Sequence, residues 1–391
     1  MRPQKVVVVG AGYSGLAAAR TISQEAAPGT SVIVLEAGNR IGGRACTAEF
    51  AGCGKVALGA TWLHGLIGNP IFELAVQHGF LTGEEVKQKD DFFGAAKWAR
   101  EGRTDLLQGE ELDTILEGAA LWSEAIENIE EGPGLAAAST VGEYMQHAWQ
   151  QVASQPGMTP ERLRLFAQAW HWRELLQRAM DGCHTTHDMS AAGLAGYGEL
   201  EGPNLPLPDG LQALAEVLAE GLDIRLGHAV QRISWGAEGV TVTCANGVVL
   251  EADAVIVTVS LGVLKASHEQ LFQPPLPAAK VRAINKLAMG VVDKIFVSFD
   301  SEEHAHKPSY LADGAGQSSQ ASAGSYSYIA AGASARDTEA LAEPIRVESG
   351  GRTVPVVLFS GEATHATFFG TVHGAYMTGQ QAAREVIAAQ H

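Results

Sequence analysis

A glycine-rich turn between a strand and a helix restricts the fold of this chain more than any other feature. In VVVVGAGYSGLAAAR, Gly10, Gly12 and Gly15 follow the apolar, β-branched run Lys5–Val9, and helix-forming residues continue from Tyr13 to Ala26. Such a run is typical of a parallel strand that is buried on both faces. The backbone N–H groups that open the helix suit a pyrophosphate. The sequence therefore predicts an α/β fold built on a Rossmann-like nucleotide-binding unit.

An acid and a second glycine pair narrow the choice of nucleotide. Glu36 follows the predicted strand Ser31–Leu35, about 20 residues beyond the glycines, where a carboxylate can bind both ribose hydroxyls and disfavours a 2'-phosphate. In EAGNRIGGRACT, Gly42 and Gly43 let the backbone approach closely, and Arg44 offers a fixed charge to the same phosphates. A nicotinamide enzyme has no need of this second loop, so the pattern favours a flavin dinucleotide.

Composition and charge restrict the class of protein and its partners. Of the 391 residues, 46% are hydrophobic and 18% charged, which excludes disordered and fibrous chains and allows two domains. The formal net charge of -17 repels nucleic acid and anionic membranes and attracts polycations, although it would serve solubility equally well.

The four cysteines show no paired spacing, which indicates a reduced compartment. No signal peptide, retrieval ending or membrane-length apolar span is recognisable, so we expect a cytoplasmic protein with neither membrane nor nucleic-acid partners. The sequence does not indicate an oligomeric state.

The remaining elements alternate between helical and strand patterns. An apolar period of about 3.6 residues from Glu110 to Glu131 predicts an amphipathic helix, and Thr159 before Pro160 predicts the start of another. From Gly239 to Asp253, two alternating runs flank an Asn-Gly pair, which is the strongest short hairpin signal. A third buried strand is predicted from Ala254 to Ser260.

Seven motifs together resemble the flavin-dependent amine oxidases. The N-terminal signature E-A-x-x-R-x-G-G-R is present from Glu36 to Arg44. The others follow in family order: VALGATWLHG (56–65), VTVSLGVLKA (257–266), FQPPLP (272–277), MGVVDKIFVSF (289–299), GSYSY (324–328) and FSGEATH (359–365). Within the family the chain is most similar to the polyamine oxidases, and above all to the spermine and thermospermine oxidase branch. The resemblance is good at both ends and over 206–299, and poor over about 81–189.

The resemblance implies a two-domain architecture with FAD bound noncovalently. A Rossmann-like FAD domain would comprise residues 1–79, 205–264 and 354–391, and an α+β substrate domain residues 80–204 and 265–353. No cysteine follows Cys244, so the C-terminal thioether link known in monoamine oxidases is not possible. Since FAD lies extended in this family, the chain must return near its end to complete the flavin site. Besides the first two motifs and Arg44, the family pattern assigns cofactor contacts to Gly59, Ala60, Thr61, Trp62, Val230, Gly361, Glu362, Thr371 and Val372.

The resemblance also assigns catalytic and substrate-binding roles. Lys294 matches the lysine that holds a water against the flavin N5, and the alternative is an edge-strand lysine that faces solvent. His64 matches a histidine that hydrogen-bonds a substrate nitrogen, although a lone histidine is more often a satisfied core residue. Glu199 and Glu201 fall where the branch pairs an acid with a distal ammonium, and their alternative is a solvated loop.

Aromatic residues are expected beside the flavin, and metal ligands are not. Tyr326 and Tyr328 match an aromatic pair whose ring faces suit a cationic alkyl chain. Although Cys183, His184 and His187 lie close together in the sequence, no second cluster completes a ligand set, so no metal is expected.

The reaction implied is oxidation of a secondary amine of spermine, thermospermine or an acetylated derivative. The product would be an imine that water hydrolyses, and O2 would be reduced to hydrogen peroxide. Alternatives are a histone-lysine demethylase relative, although the long helical insertion and accessory domain of those proteins are not recognisable, and an amino-acid oxidase, which would need an arginine for the carboxylate. A noncatalytic or impaired FAD-binding isoform is the third alternative.

Two departures from the family pattern bear on activity. Ala57 replaces an acid that is usual before L-G-A-T-W. Between Phe299 and Gly324 the chain has only about 25 residues, whereas relatives place on the order of a hundred more there. We therefore expect an abbreviated substrate domain around 300–323 and a strand at 294–299 that is less covered.

Overall fold

Four valines build the first strand of the central sheet. They are all buried in Lys5–Val9 (β1), as expected for a parallel strand that is covered on both faces. The computed structural model describes residues 4–50, 54–87, 98–99, 105–132, 134–296 and 323–389. The predicted α/β class and its Rossmann-like unit are confirmed.

The described helices begin with the one that follows the glycine turn. They are Tyr13–Glu25 (α1), Pro70–Gln77 (α2), Gly109–Glu127 (α3), Val141–Ala153 (α4), Pro160–Asp181 (α5), Ala191–Ala195 (α6), Gly210–Ala219 (α7), Leu261–Leu271 (α8), Ala278–Lys286 (α9), Ala335–Ala342 (α10) and Val372–Ala388 (α11).

The described strands are short, and most belong to two sheets. After β1 they are Ser31–Leu35 (β2), Thr47–Glu49 (β3), Lys55–Ala57 (β4), Trp62–Leu63 (β5), Leu205–Pro206 (β6), Asp223–Arg225 (β7), Val230–Gly236 (β8), Gly239–Cys244 (β9), Val249–Ala252 (β10), Ala254–Val257 (β11), Phe272–Gln273 (β12), Ala288–Met289 (β13), Ser327–Tyr328 (β14), Ile345–Ser349 (β15) and Arg352–Phe359 (β16).

The larger sheet gathers its loops at one edge. Its strand order is β15-β16-β11-β1-β2-β7, and only the β15–β16 pair is antiparallel. Because the carboxyl ends of parallel strands meet at the same edge, the segments after Val9, Leu35, Val257 and Phe359 lie together there. This is the edge at which α/β sheets bind their ligands.

The end of the described chain returns to the first motif. Helix α11 packs along α1 so closely that a Cβ atom on Gly379 would lie 2.1 Å from the carbonyl oxygen of Ser14. The Ser14 Oγ donates a buried hydrogen bond of 2.9 Å to Ser360 Oγ, just after β16. Residues more than 300 positions apart therefore build one layer.

The second sheet covers the face of the first sheet that lies opposite α1 and α11. Its strand order is β10-β9-β8-β12, and the predicted hairpin is present, with Gly247 at φ +87° in the turn. Ile233 and Val242 pack in one apolar cluster with Val255 and Val257 of β11. Both faces of the central strands are thus covered, which explains their continuous apolar sequence.

The helical region forms a separate apolar cluster. The helix predicted from Glu110 to Glu131 runs as α3, and Thr159 caps α5 by accepting a hydrogen bond from the N–H of Arg162, as its sequence predicts. Trp122 and Trp170 meet edge to face at 5.3 Å between ring centroids.

Two predicted strands differ from the structure. The run from Ala254 to Ser260 forms a strand only to Val257, because Ser260 caps the next helix by accepting from Val263 N. The strand expected at 294–299 is wrong over 294–296, since among the described residues of MGVVDKIFVSF only Met289 belongs to a strand and the chain is irregular from 290 to 296. Val291 donates there to the carbonyl oxygen of Gly182 after α5 instead of continuing the ladder. Residues 297–299 lie outside the described part of the chain.

Among the described helices, none is both long and apolar enough to span a membrane. The domain boundaries given above remain a prediction.

Candidate active site

The glycines of the first turn serve two purposes. A Cβ atom on Gly15 would lie 1.9 Å from the carbonyl oxygen of Gly10, and Gly10 itself has φ +106°. Gly12, by contrast, has an ordinary extended backbone, and a Cβ atom there would meet only the Cα of Gly43, at 4.0 Å. Helix α1 has no side-chain cap. The turn therefore leaves a side-chain-free space in front of the first N–H groups of the helix, which suits a pyrophosphate.

Glu36 joins this turn to the second strand. Its Oε2 accepts a hydrogen bond of 2.8 Å from Ala11 N, and its Oε1 accepts one of 2.7 Å from Gly38 N. Each carboxylate oxygen retains a free acceptor site, so both can still receive ribose hydroxyls. The segment before Val230 lies alongside, because His228 N donates to the carbonyl oxygen of Glu36.

The second glycine loop lies against the first. Gly42 N donates to Ala11 O at 2.8 Å, and a Cβ atom on Gly43 would lie 3.2 Å from the Cα of Gly12. The LGAT segment follows closely, since a Cβ atom on Gly59 would meet the carbonyl oxygen of Arg44 at 1.7 Å. Three sequence motifs thus converge on one edge of the sheet.

Arg44 and Glu362 form an ion pair in the same place. Arg44 Nη1 lies 2.7 Å from Glu362 Oε1 and also donates to Ser325 O at 2.8 Å. The other oxygen of the buried Glu362 accepts from Ser327 Oγ and N and from Gly370 N. Sequence reasoning assigned these two side chains to separate parts of the cofactor and missed both their pairing and the role of Ser327. The alternation of serine and tyrosine in GSYSY was the available signal.

A small cavity lies beside this ion pair. Its lining residues include Arg44, Val259, Ser260, Phe359, Gly361 and Glu362. The predicted cofactor residues at the two ends of the chain therefore share one cavity wall.

Helix α11 begins at two of the predicted cofactor residues. Its first residue is Val372, and Thr371 Oγ1 accepts the Gly374 N–H at 2.9 Å. This cap leaves only the N–H groups before Gly374 for a ligand.

Lys294 is bound to the loop that follows β4. Its Nζ donates to the carbonyl oxygens of Ala57 and Gly59 and to Thr61 Oγ1. These acceptors use all three ammonium protons, so Lys294 must release one of them before it can hold a water. Burial lowers the pKa of the lysine, although the residue as a whole is solvent-exposed. It is not an edge-strand lysine, because residues 290–296 form no strand.

His64 lies in a second group of polar side chains. Its Nδ1 is 3.2 Å from Asn204 Oδ1, and burial lowers its pKa while the Asn204 bond and the charge of Glu199 oppose that shift. Glu199 and Glu201 are both solvent-exposed. The segment that carries them is nevertheless fixed, because Glu201 O accepts from Leu66 N and Ile67 N.

An acid that sequence reasoning missed lies among the tyrosines. Burial raises the pKa of Asp181 to about 6, against a hydrogen bond of 2.6 Å from Gln177 Nε2. Its charge acts on Tyr197, Tyr326 and Tyr328, and with burial it raises the pKa of each. As the last residue of α5, Asp181 also sits where the helix dipole disfavours an anion. The group Asp181, Tyr197, Tyr326 and Tyr328, called here the Asp181 cluster, combines aromatic rings with an acid that has no ion-pair partner within the described ranges.

No cluster of metal-ligating side chains was found within the described ranges. His187 faces helix α4, with Nδ1 3.1 Å from Thr140 Oγ1.

The chain matches the sequence profile of the family described as flavin containing amine oxidoreductase, over residues 13–320 and 316–387. It is 28% identical to polyamine oxidase 1 of Oryza sativa subsp. japonica over 518 aligned positions, which cover 98% of this chain and 97% of that protein. It is 28% identical to the human peroxisomal N(1)-acetyl-spermine/spermidine oxidase over 98% of this chain and 95% of that protein. Human lysine-specific histone demethylase 2 is also 28% identical, but over 76% of this chain and 34% of that protein.

The comparisons also show a difference in length between this chain and a relative. The alignment with the rice protein has 127 positions more than the 391 residues of this chain, so that relative contains at least as many residues with no counterpart here. The family profile matches in two parts that meet at residues 316–320, within the segment that the sequence indicates is abbreviated.

Proposed function

Because the chain belongs to the flavin-containing amine oxidoreductase family, we propose that it oxidises a secondary amine of a polyamine, such as spermine, thermospermine or an acetylated derivative. The observation that carries this proposal is the Asp181 cluster. Asp181 is a half-buried acid that forms no ion pair with the described side chains, and its charge acts on three tyrosines, of which Tyr326 donates to the neighbouring Met180 O. An alkylammonium would supply the missing charge and pack against the ring faces. The relatives that align over nearly the whole chain are named for polyamine substrates, which favours the same class.

The cofactor is FAD, bound without a covalent link. The residues present fit it. The space in front of Gly12, the free acceptor sites of Glu36 and the cavity beside Arg44 and Glu362 are suited to pyrophosphate, ribose and ribityl groups respectively. When bound, FAD accepts the two electrons of the reaction.

The roles of the protein are binding, orientation and proton control. In the reaction, the C–H bond next to the amine nitrogen breaks as a hydride, and the resulting C=N bond is hydrolysed to an aldehyde and an amine. Molecular oxygen then takes up two electrons and two protons to give hydrogen peroxide. His64, whose lowered pKa keeps it neutral, can accept a hydrogen bond from a substrate N–H. Lys294 would hold the 57–61 loop, and after release of one acceptor it can bind a water.

Peroxide release with a panel of amines tests the proposal. We expect release with spermine, thermospermine or N1-acetylspermine and none with leucine. Release with an N-methyl-lysine peptide alone would favour a demethylase-like activity, to which the partial match with the histone demethylases points.

A second candidate function is an FAD-binding protein with impaired turnover. At least 127 residues of the rice relative have no counterpart in this chain, which supports this second function. Without them, part of the wall around the substrate would be missing. In that case the purified chain would be yellow and would release no peroxide with any amine of the panel.

A further inference from the structure

One imidazole next to the cofactor loops lacks a hydrogen-bond partner. His373 has 4% of its surface exposed and lies in the first turn of α11, two residues after the Thr371 cap. Its Nε2 is buried, and nothing in the described part of the chain hydrogen-bonds it. A buried nitrogen without a partner destabilises the folded protein. Such a group in a native protein requires an explanation, and a ligand is one.

The surroundings of His373 keep it neutral. Phe368 contacts it edge to face, with 4.9 Å between ring centroids, and the ring centroid of His365 also lies 4.9 Å from that of Phe368. Burial, together with the charges of His64 and His365, lowers the pKa of His373 to about 4. A neutral imidazole can present Nε2 as a donor or an acceptor, according to its tautomer.

Neighbouring polar groups are already paired. The Nδ1 of His365 accepts from Thr367 N and Phe368 N, and Thr371 Oγ1 accepts from Gly374 N and donates to Phe368 O. Gly370 N is bound to Glu362, which lines the cavity. His373 Nε2 is therefore a free hydrogen-bonding group within a segment whose other side chains are occupied.

We propose that His373 is a further cofactor-binding residue, whose Nε2 forms a hydrogen bond with bound FAD. The cofactor is common to the family, and the proposal does not depend on which amine is oxidised. It explains why a histidine without a partner is buried in the first turn of a helix that begins beside the site.

Titration of FAD into the apoprotein tests this proposal. His373→Leu removes the nitrogen and keeps an apolar side chain of moderate size, so we expect the Kd for FAD to rise about 5- to 10-fold, the loss of one hydrogen bond. His373→Gln, whose amide can donate and accept, should recover most of the affinity. The matched control is His268→Leu on α8, since His268 is also buried but its Nδ1 contacts Leu264 O within its own helix.

The outcomes separate a cofactor contact from packing. An unchanged Kd in His373→Leu overturns the proposal and means that a water occupies Nε2. An equal rise in Kd in His268→Leu also overturns it, since the effect then arises from general loss of packing. Because the readout is FAD binding, it stands even if no amine proves to be a substrate.

Discussion

In the glycine turn, the fold requires a glycine at two positions and does not require one at the third. Gly10 requires its positive φ, and Gly15 touches the backbone of Gly10. Gly12 has neither constraint, so its missing side chain is left for a ligand. Sequence spacing predicts this turn well because the motif is local, and Glu36 follows from the same spacing.

Gly12→Val should fold but fail to bind FAD. The valine side chain would fill the approach of the pyrophosphate while meeting little protein, so the melting temperature of the apoprotein should change by only a few degrees. Absorbance near the flavin bands checks cofactor content. As a control, Gly236→Val introduces the same side chain where no atom lies within 4 Å, and it should purify yellow. A yellow Gly12→Val protein would falsify the assignment of this turn.

Asp181→Asn should raise KM for the polyamine about 10-fold by removing one charge-assisted contact.

The same substitution should also stabilise the fold. The folded pKa of Asp181 is raised to about 6 from 3.8, so ionisation costs stability as pH rises from about 4 to 6. The amide removes that cost, so at pH 8 the variant should be more stable than the parent by roughly 1–3 kcal/mol.

Urea unfolding at pH 5 and pH 8 measures the second effect. The gain should be smaller at pH 5, where the acid is already mostly protonated. A gain that is equal at both pH values, together with an unchanged KM, would show that the carboxylate is solvated and not part of the site.

Asp181 and Ser327 were missed because their roles depend on contacts distant in sequence. Tyr326 donates to Met180 O across 146 positions, and no local pattern records that contact. His64 and Lys294 were found only by resemblance, and their proposed roles stay predictions.

At the scale of elements, local sequence signals predict the helix caps and the hairpin. The other strands are harder to predict because they depend on pairing with residues distant in the sequence. Thr159 with Pro160 predicts the start of α5, and the Asn-Gly pair predicts the β9–β10 turn. The apolar run after Met289 has the composition of a strand, but within its described part the ladder with β14 ends at Met289, and Val291 N donates to Gly182 O after α5 instead. A strand needs a partner that its own sequence does not specify.

Two threonine caps provide a matched pair of variants. Thr371→Ala and Thr159→Ala each remove a side chain that accepts an N–H at the start of a helix, so each should cost about 1 kcal/mol in urea unfolding. Only Thr371 lies next to the cofactor loops. FAD affinity should therefore fall several-fold in the first variant and stay at the parent value in the second. Equal FAD affinities in the two would show that α11 does not orient the cofactor.

At the scale of the whole molecule, the missing segment should affect turnover and solubility more than cofactor binding. The described FAD-site residues lie outside 300–323, whereas large apolar side chains near that segment are exposed, among them Ile295 at 69% and Val291 at 49%. Exposed apolar groups favour association, and water in the site weakens pairing with the amine. We expect FAD binding, slow peroxide release and concentration-dependent association.

Replacing 300–323 with the corresponding segment of a full-length relative provides the comparison. Peroxide release should increase and light scattering should decrease, while FAD content stays the same. If turnover and solubility match those of the parent chain, the short segment already closes the site.

The position of β16 and α11 beside β1 and α1 has a consequence during protein synthesis. Ser14 cannot meet Ser360 until about 346 further residues have been added, which takes tens of seconds at roughly 5–20 residues per second. During that time the nascent β1 lies in an incomplete sheet, because β16 has not yet been made. The cavity beside Arg44 also lacks the wall that Gly361 and Glu362 provide. Insertion of FAD is therefore a late event, which cannot be completed before β16 and α11 have been synthesised.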